Sequence, residues 1–405
     1  MTMRLSLIFI MITVTLDAMG IGLILPVMPD LIEEVQGITL SDAAIWGGIL
    51  SASYAVMQFI FSPIIGNLSD RFGRRPILLI SLLVMTVDYL IMSQANSIWL
   101  LLLGRIIAGI AAATHATALA YMADISPAEK RAQNFGLISA GFGMGFILGP
   151  VLGGILGGLD PRAPFYAAAL LAGLNLIFGI FVAPETLRAE NRRPFKWARA
   201  NPLGGIMEIG ALPNLAPLLA VMLAYQISNF VYPTIWAYYT QAAFGWDTGL
   251  IGASLAAYGV AIAVTQGALI RPILSYLGEA RAVRYGLILN ILSLWGYGFA
   301  PEAWMVWVLI PISSVGAVVA PAMQALMSRA AGADQQGALQ GVLASCSALS
   351  MIISPLVMTQ AFFWFTREGA NLYLPGAAFL VSSLLMVASL VIFVSKGRGI
   401  TTSAA

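Results

Sequence analysis

The chain is poor in the residues that soluble chemistry uses. Among 405 residues there is one cysteine, Cys346, and one histidine, His115. A lone cysteine excludes an intrachain disulfide and a cysteine-based metal site, and a lone histidine excludes a multi-histidine site. No permanently bound cofactor or metal is therefore expected, and no nucleophile–base cluster marks an enzyme. Charged residues make up only 9%, against about 25% in a soluble domain, which excludes a water-soluble protein of this length. Disorder is excluded as well, because it needs low hydropathy and high charge, whereas mean hydropathy here is +0.89. The net charge of +2 comes without a basic tail, so nothing points to nucleic acid. What the sequence does hold is long apolar runs, too continuous for the alternating strands of a membrane β-barrel. The fold class is all-α and polytopic, with the lipid bilayer as its surroundings.

A membrane helix needs about 20 mostly apolar residues. Breaks at charges and at Gly/Pro clusters then predict twelve spans, at 5–29, 43–66, 76–94, 97–122, 133–158, 163–184, 214–240, 248–270, 283–300, 303–326, 337–364 and 373–395. The first run is too long for a cleaved signal peptide and reads as a retained span. Nearly all Lys and Arg collect in the connections on one side. The other side holds Arg162 and Arg367, and Arg105 falls within a span. Because basic residues gather on the cytoplasmic side, both termini are expected in the cytoplasm, which an even number of spans requires. The longest polar stretch divides the chain into an N-terminal six-helix bundle (1–184), a cytoplasmic linker (185–213) and a C-terminal six-helix bundle (214–405).

The two halves read as copies. A shift of 205 residues carries Gly73 onto Gly278, Trp99 onto Trp304, Gly136 onto Gly341 and Pro150 onto Pro355. A parallel six-plus-six repeat about an axis normal to the membrane is the plan of major facilitator transporters, whose substrate site lies between the halves near the midplane.

Between spans 2 and 3 runs the string Gly66-Asn67-Leu68-Ser69-Asp70-Arg71-Phe72-Gly73-Arg74-Arg75-Pro76. It reads as a loop, with glycine for a tight turn and Pro76 suited to the first position of the next helix. Its length and order resemble the signature of the major facilitator superfamily. That resemblance implies that Gly66, Asp70, Arg71, Gly73, Arg74 and Arg75 form a conformational lock between the halves. In the second copy Ser275 stands where Asp70 would fall, so the lock is expected to be asymmetric.

Buried ionisable residues are the next signal. Asp17 lies mid-span in Leu16-Asp17-Ala18. A carboxylate in hydrocarbon is costly unless it is protonated, paired or facing water, so it suits proton uptake and release; the plainer reading is a helix–helix hydrogen bond. Asp88 in span 3 is the second buried acid, and a structural role weighs more heavily there. Arg105 in span 4 demands a partner, with Asp17 or a backbone carbonyl both open to it. His115, ten residues on, suits a proton relay or an ordinary polar helix contact. Arg105 resembles the span-4 arginine of the drug/proton antiporters of the superfamily, which implies a part in proton coupling. Span 5 carries Gly145, Gly149, Pro150, Gly153 and Gly154. Glycines four apart let helices approach closely, and Pro150 introduces a kink. The run also resembles the antiporter motif of exporters in the family, which implies export and not uptake.

Few other polar residues lie in the spans. Gln58, Gln226, Asn229, Gln266 and Asn290, with Tyr54 and Trp236 among nearby aromatics, suit an apolar cavity that takes a small amphipathic drug. The strings LDAMGIGLILPVMP, YAVMQ, SDRFGRRP, DYL, LGRIIAGI, FGWD and QQGALQGVL together resemble bacterial tetracycline/proton antiporters along nearly the whole chain. This implies a monomer of the bacterial inner membrane that exports Mg2+–tetracycline in exchange for protons, with Asp17, Asp70, Asp88, Arg105 and Gln58 carried over by position. The second half departs from that pattern, having Ile262 and Asn290 where such exporters have a histidine and an aspartate. A multidrug or metabolite exporter that does not carry tetracycline is the alternative.

Overall fold

A computed structural model describes residues 2–112, 115–197, 200–207, 212, 215–332 and 335–396. The described residues are helical throughout their regular structure, without a strand. The first part of the chain forms α1 (Thr2–Ile24), α2 (Met28–Gln36), α3 (Leu40–Phe72), α4 (Arg74–Ser93), α5 (Ile98–Ala112), α6 (His115–Ile125), α7 (Arg131–Gly157) and α8 (Ala163–Val182). The second forms α9 (Gly204–Met207), α10 (Ala216–Asn229), α11 (Val231–Phe244), α12 (Thr248–Val264), α13 (Ile270–Leu277), α14 (Glu279–Gly298), α15 (Ala303–Val315), α16 (Val319–Ala330), α17 (Gln336–Thr366) and α18 (Ala377–Lys396). The linker end and the first residue of the predicted seventh span, Pro213 and Asn214, lie outside the described residues, as do Arg199 and Arg398.

Among the described residues, eleven helices are long and apolar enough to cross a membrane. They match eleven of the twelve predicted spans, several as two helices end to end. The predicted span 283–300 is α14, a 20-residue helix whose Arg281, Arg284 and Asn290 lower its apolar character. Several boundaries differ from the sequence reading, two of them at turns that matter for the site. Span 1 stops at Ile24, and a separate α2 begins at Met28 with Pro29 in its first turn and Gly37 closing it at φ +64°; Pro26 has no N–H with which to continue the first helix. The Gly66–Phe72 stretch is not a loop but the end of α3, a helix of 33 residues. The turn is confined to Gly73 at φ +109°, and Pro76 stands third in α4, after Arg74 and Arg75.

The repeat shows at these turns. Gly278 precedes α14 at φ +70° and ψ 165°, as Gly73 precedes α4 at φ +109° and ψ 161°. Only glycine takes this backbone cheaply. Trp99 and Trp304, also 205 apart, are 69% and 60% exposed, as aromatics at a membrane–water boundary are. Pro150 and Pro355 both lie inside long helices, α7 and α17.

The chain packs as two compact units. One comprises Met1–Ile38, Ser53–Pro202 and Asp247–Ala256; the other comprises Thr39–Ala52, Leu203–Trp246 and Ala257–Ala405. Thus α3 begins in the second unit and ends in the first, and α12 begins in the first and ends in the second.

Candidate functional site: buried charges of the first unit

In the first unit the sequence places two charges inside apolar helices, and the structure pairs them. Arg105 Nη2 of α5 lies 3.7 Å from Asp88 Oδ2 of α4. Asp88 is fully buried and Arg105 is 7% exposed. Neither Asp88 oxygen has a hydrogen bond, nor do Arg105 Nε and Nη2. The pair is therefore held by charge alone, in surroundings where removing one member leaves the other stranded. Gly104 makes the approach possible: a Cβ there would stand 3.1 Å from Asp88 Oδ1 and would press on Met92. The sequence had left Arg105 with Asp17 or a carbonyl as partner, and the structure assigns Asp88 instead.

Asp17 sits half-buried on α1. No ion pair to it occurs among the described residues. Asp17, Asp88 and Arg105 lie within electrostatic reach of the hydroxyls of Tyr54 and Tyr89. The Tyr89 hydroxyl end occupies the space over Gly20, one turn beyond Asp17, where any side chain would collide with it. Tyr89 thus spans from the helix of Asp88 to the helix of Asp17, so that both acids, the arginine and two phenols share one interior region of the unit. His115 is half-buried on α6, its ring edge-on to Phe142 with centroids 5.8 Å apart.

The span-5 glycines build the wall against which α1 rests. Gly145 meets Thr15, Gly149 meets Met19 and Gly153 meets Leu23, each against a backbone carbonyl; a Cβ at Gly149 would lie 2.5 Å from the Met19 oxygen. Gly22 receives Pro150 in return. Gly154 faces the other way, onto Thr248 and Gly252. Asp17 is therefore carried on a helix clamped along its length by α7.

At the Gly73 turn, Arg74 is the hub. It reaches Asp70 at 2.6 Å and Asp124 at 3.5 Å, and Nη1 donates to Ser69 Oγ at 2.9 Å. Glu185 accepts from the backbone N–H groups of Arg74 and Arg75 at 2.9 and 3.3 Å, a carboxylate at the positive end of α4. Arg75 Nη2 donates to the Ile180 carbonyl at 2.7 Å, Asn67 to the Lys196 carbonyl at 2.8 Å, and the Arg193 N–H to the Asp70 carbonyl at 3.0 Å. Arg71 lies over the Phe72 ring at 5.0 Å, and Gly66 has open space around it. Every partner described for this cluster belongs to the first unit. Sequence reading had Ser69 in the string but not among the lock residues, and did not find Asp124 or Glu185 as members. Their one signal was position, since Asp124 and Glu185 are acids set just past the ends of apolar runs.

The residues expected to line a drug cavity are divided between the units. Tyr54 and Gln58, both half-buried, belong to the first; Gln226, Asn229, Trp236, Gln266 and Asn290 belong to the second. Asn229 is half-buried one turn after Tyr225 and interacts with its hydroxyl. Gln226 is half-buried. Gln266 is exposed within a π-helical turn, Thr265–Leu269, a feature that often marks functional sites. Trp236 is packed in an aromatic core with Tyr297 at 5.3 Å and Tyr232 at 6.2 Å. Asn290 spends its amide on the carbonyls of Gly286 and Gly316, at 2.9 and 3.1 Å, and so bridges α14 to the turn before α16.

Helices that span a membrane repeatedly, a duplicated plan and interior charges define a polytopic membrane transporter. The particular family follows from comparison: the Major Facilitator Superfamily model matches residues 10–355, and the chain belongs to that superfamily. It is a transporter and not an enzyme. It is 42% identical over 354 residues to the tetracycline resistance protein, class C, of Escherichia coli, covering 87% of this chain and 89% of that one. To the class E protein of Escherichia coli it is 38% identical, covering 96% and 95%. Among solved structures, the bacterial homologue of the human lysosomal transporter Spinster, inward-facing and occupied, superposes with a TM-score of 0.79 at 14% identity, covering 97% of this chain and 96% of that one. The human organic anion transporter MFSD10 gives 0.69 at 23%, covering 96% and 99%.

Proposed function

We propose that the chain is a proton-coupled antiporter that exports small amphipathic drugs, tetracycline first among them, by alternating access. The observation that carries the reading is the membrane-buried Asp88–Arg105 pair beside Asp17, in a chain 42% identical to a tetracycline resistance protein. Asp17 has no ion-pair partner among the described residues and can exchange a proton when it faces water. Arg105 pairs with Asp88 at 3.7 Å, and both lie in the same unit as Asp17. Mg2+ travels with tetracycline as cargo. The setting is the bacterial inner membrane, with α14 completing the twelve spans as the ninth in order, both termini cytoplasmic, and six-helix halves at 1–184 and 214–405 joined by a linker.

A second reading, an exporter of other amphipathic solutes, is favoured by Asn290. Its amide is committed to two carbonyls, and Ile262 offers no polar group, so the second half has less to give a polar, metal-bound drug. Purified protein in liposomes separates the two: tetracycline with Mg2+ should drive proton efflux from acid-loaded vesicles. Asp17→Asn should abolish that flux while the folded protein survives. Proton flux driven by another drug and not by tetracycline would select the second reading; normal coupled flux in Asp17→Asn would remove Asp17 from the mechanism.

A further inference from the structure

At the start of α14, in the second unit, the surface opens into an apolar groove of about 160 Å3. Ile273 and Leu277 of α13, Tyr285 and Leu289 of α14, and Val315 and Val318 line it. Such a groove takes hydrocarbon. Two arginines stand close to its lining in the sequence of α14. Arg281 lies one helical turn before Tyr285 and two before Leu289, on the same face of α14. Arg284 is its neighbour three residues on. Arg281 is exposed and Arg284 half-buried, and no ion pair is described for either. The Nε of Arg284 is buried without a hydrogen-bond acceptor. The nearby acid, Glu279, is committed to Arg329. Two guanidiniums without a described ion pair, on the helix that lines an apolar slot and one with an orphaned donor, suit a group that is anionic at one end and aliphatic at the other.

We propose that this groove binds an anionic phospholipid, its phosphodiester between Arg281 and Arg284, its upper acyl chain between α13 and α14, and the half-exposed Tyr285 ring at the boundary between them. Basic clusters beside membrane helices hold anionic headgroups, and guanidinium forks suit phosphate oxygens. A headgroup oxygen would satisfy Arg284 Nε, which nothing else described in the structure does. The proposal needs only the multi-pass placement in a membrane, so it stands or falls separately from the transport reading.

The test is native mass spectrometry of the purified, delipidated full chain, titrated with phosphatidylglycerol and with phosphatidylcholine of identical acyl chains. Phosphatidylglycerol should bind in preference. The R281Q/R284Q variant should lose that preference by roughly tenfold or more, while R281K/R284K keeps most of it. Leu289→Trp, which fills the groove, should weaken both lipids. Equal binding of the two lipids by the parent chain would overturn the proposal without any variant being needed. So would Leu289→Trp binding like the parent, or full competition by millimolar inorganic phosphate, since either reduces the site to a surface anion contact.

Discussion

At the scale of single residues, the account rests on how few charges are buried and how incompletely they are satisfied. Asp88 and Arg105 are 3.7 Å apart without a hydrogen bond. Replacing one member strands the other, at a cost of about 3–5 kcal/mol. Arg105→Ala should therefore melt well below the parent in detergent. Removing both charges, as Asp88→Asn with Arg105→Gln, should recover a good part of that loss; a double variant no better than Arg105→Ala would mean that the two residues do not depend on each other. The presence of these residues was legible in the sequence, because an ionisable group in an apolar run is conspicuous. Their partnership was not. Asp88 and Arg105 lie on different helices, and it is Gly104, one residue from Arg105, that admits the carboxylate. Asn290 shows the same limit: the sequence marks an amide within a span, and only the structure supplies its two carbonyl partners.

At the scale of elements, glycine decides both the packing and the turns. The i, i+4 run in α7 was readable as a close-packing stripe, and the structure supplies the helix it meets, α1. Position along that stripe is decisive. Gly149→Ala drives a methyl toward the Met19 carbonyl and should cost about 1–3 kcal/mol. Gly143→Ala, two turns earlier with open space around it, should cost nothing and gain up to about 1 kcal/mol from helix propensity. Thermal unfolding of the two variants in detergent reads the difference, and equal melting points would contradict the packing described here. At the other end of the first unit, Glu185→Ala removes the acceptor for the first N–H groups of α4. It should cost about 1 kcal/mol, as loss of a helix cap does, and speed protease cleavage in the 185–197 segment. The Gly66–Phe72 string was recognisable but misplaced as a loop. Its Gly, Ser, Asp and Asn are turn formers, and tertiary partners such as Lys196 and Arg193 hold it helical.

At the scale of the whole molecule, the repeat was visible as a constant offset, and it reappears as matched backbone at Gly73 and Gly278 and as matched exposure at Trp99 and Trp304. What the offset could not reveal is the exchange of segments, with 39–52 packed in the second unit and 247–256 in the first. Hydropathy marks where a helix runs and says nothing of which neighbours it joins. In each unit a helix proline turns its carbonyl toward a glycine of the exchanged segment, Pro150 toward Gly252 and Pro355 toward Gly48. The charges, by contrast, are not duplicated: the buried ion pair described in the structure lies in the first unit, and no acid lies within the predicted spans of the second half. Coupling carried by one half of a duplicated transporter is the central claim. Its most direct measurement is uptake of labelled tetracycline into inside-out membrane vesicles with and without an imposed proton gradient. The account predicts uptake that rises with an acid interior and vanishes when the pH difference and membrane voltage are both collapsed. Accumulation that persists unchanged after that collapse would contradict it.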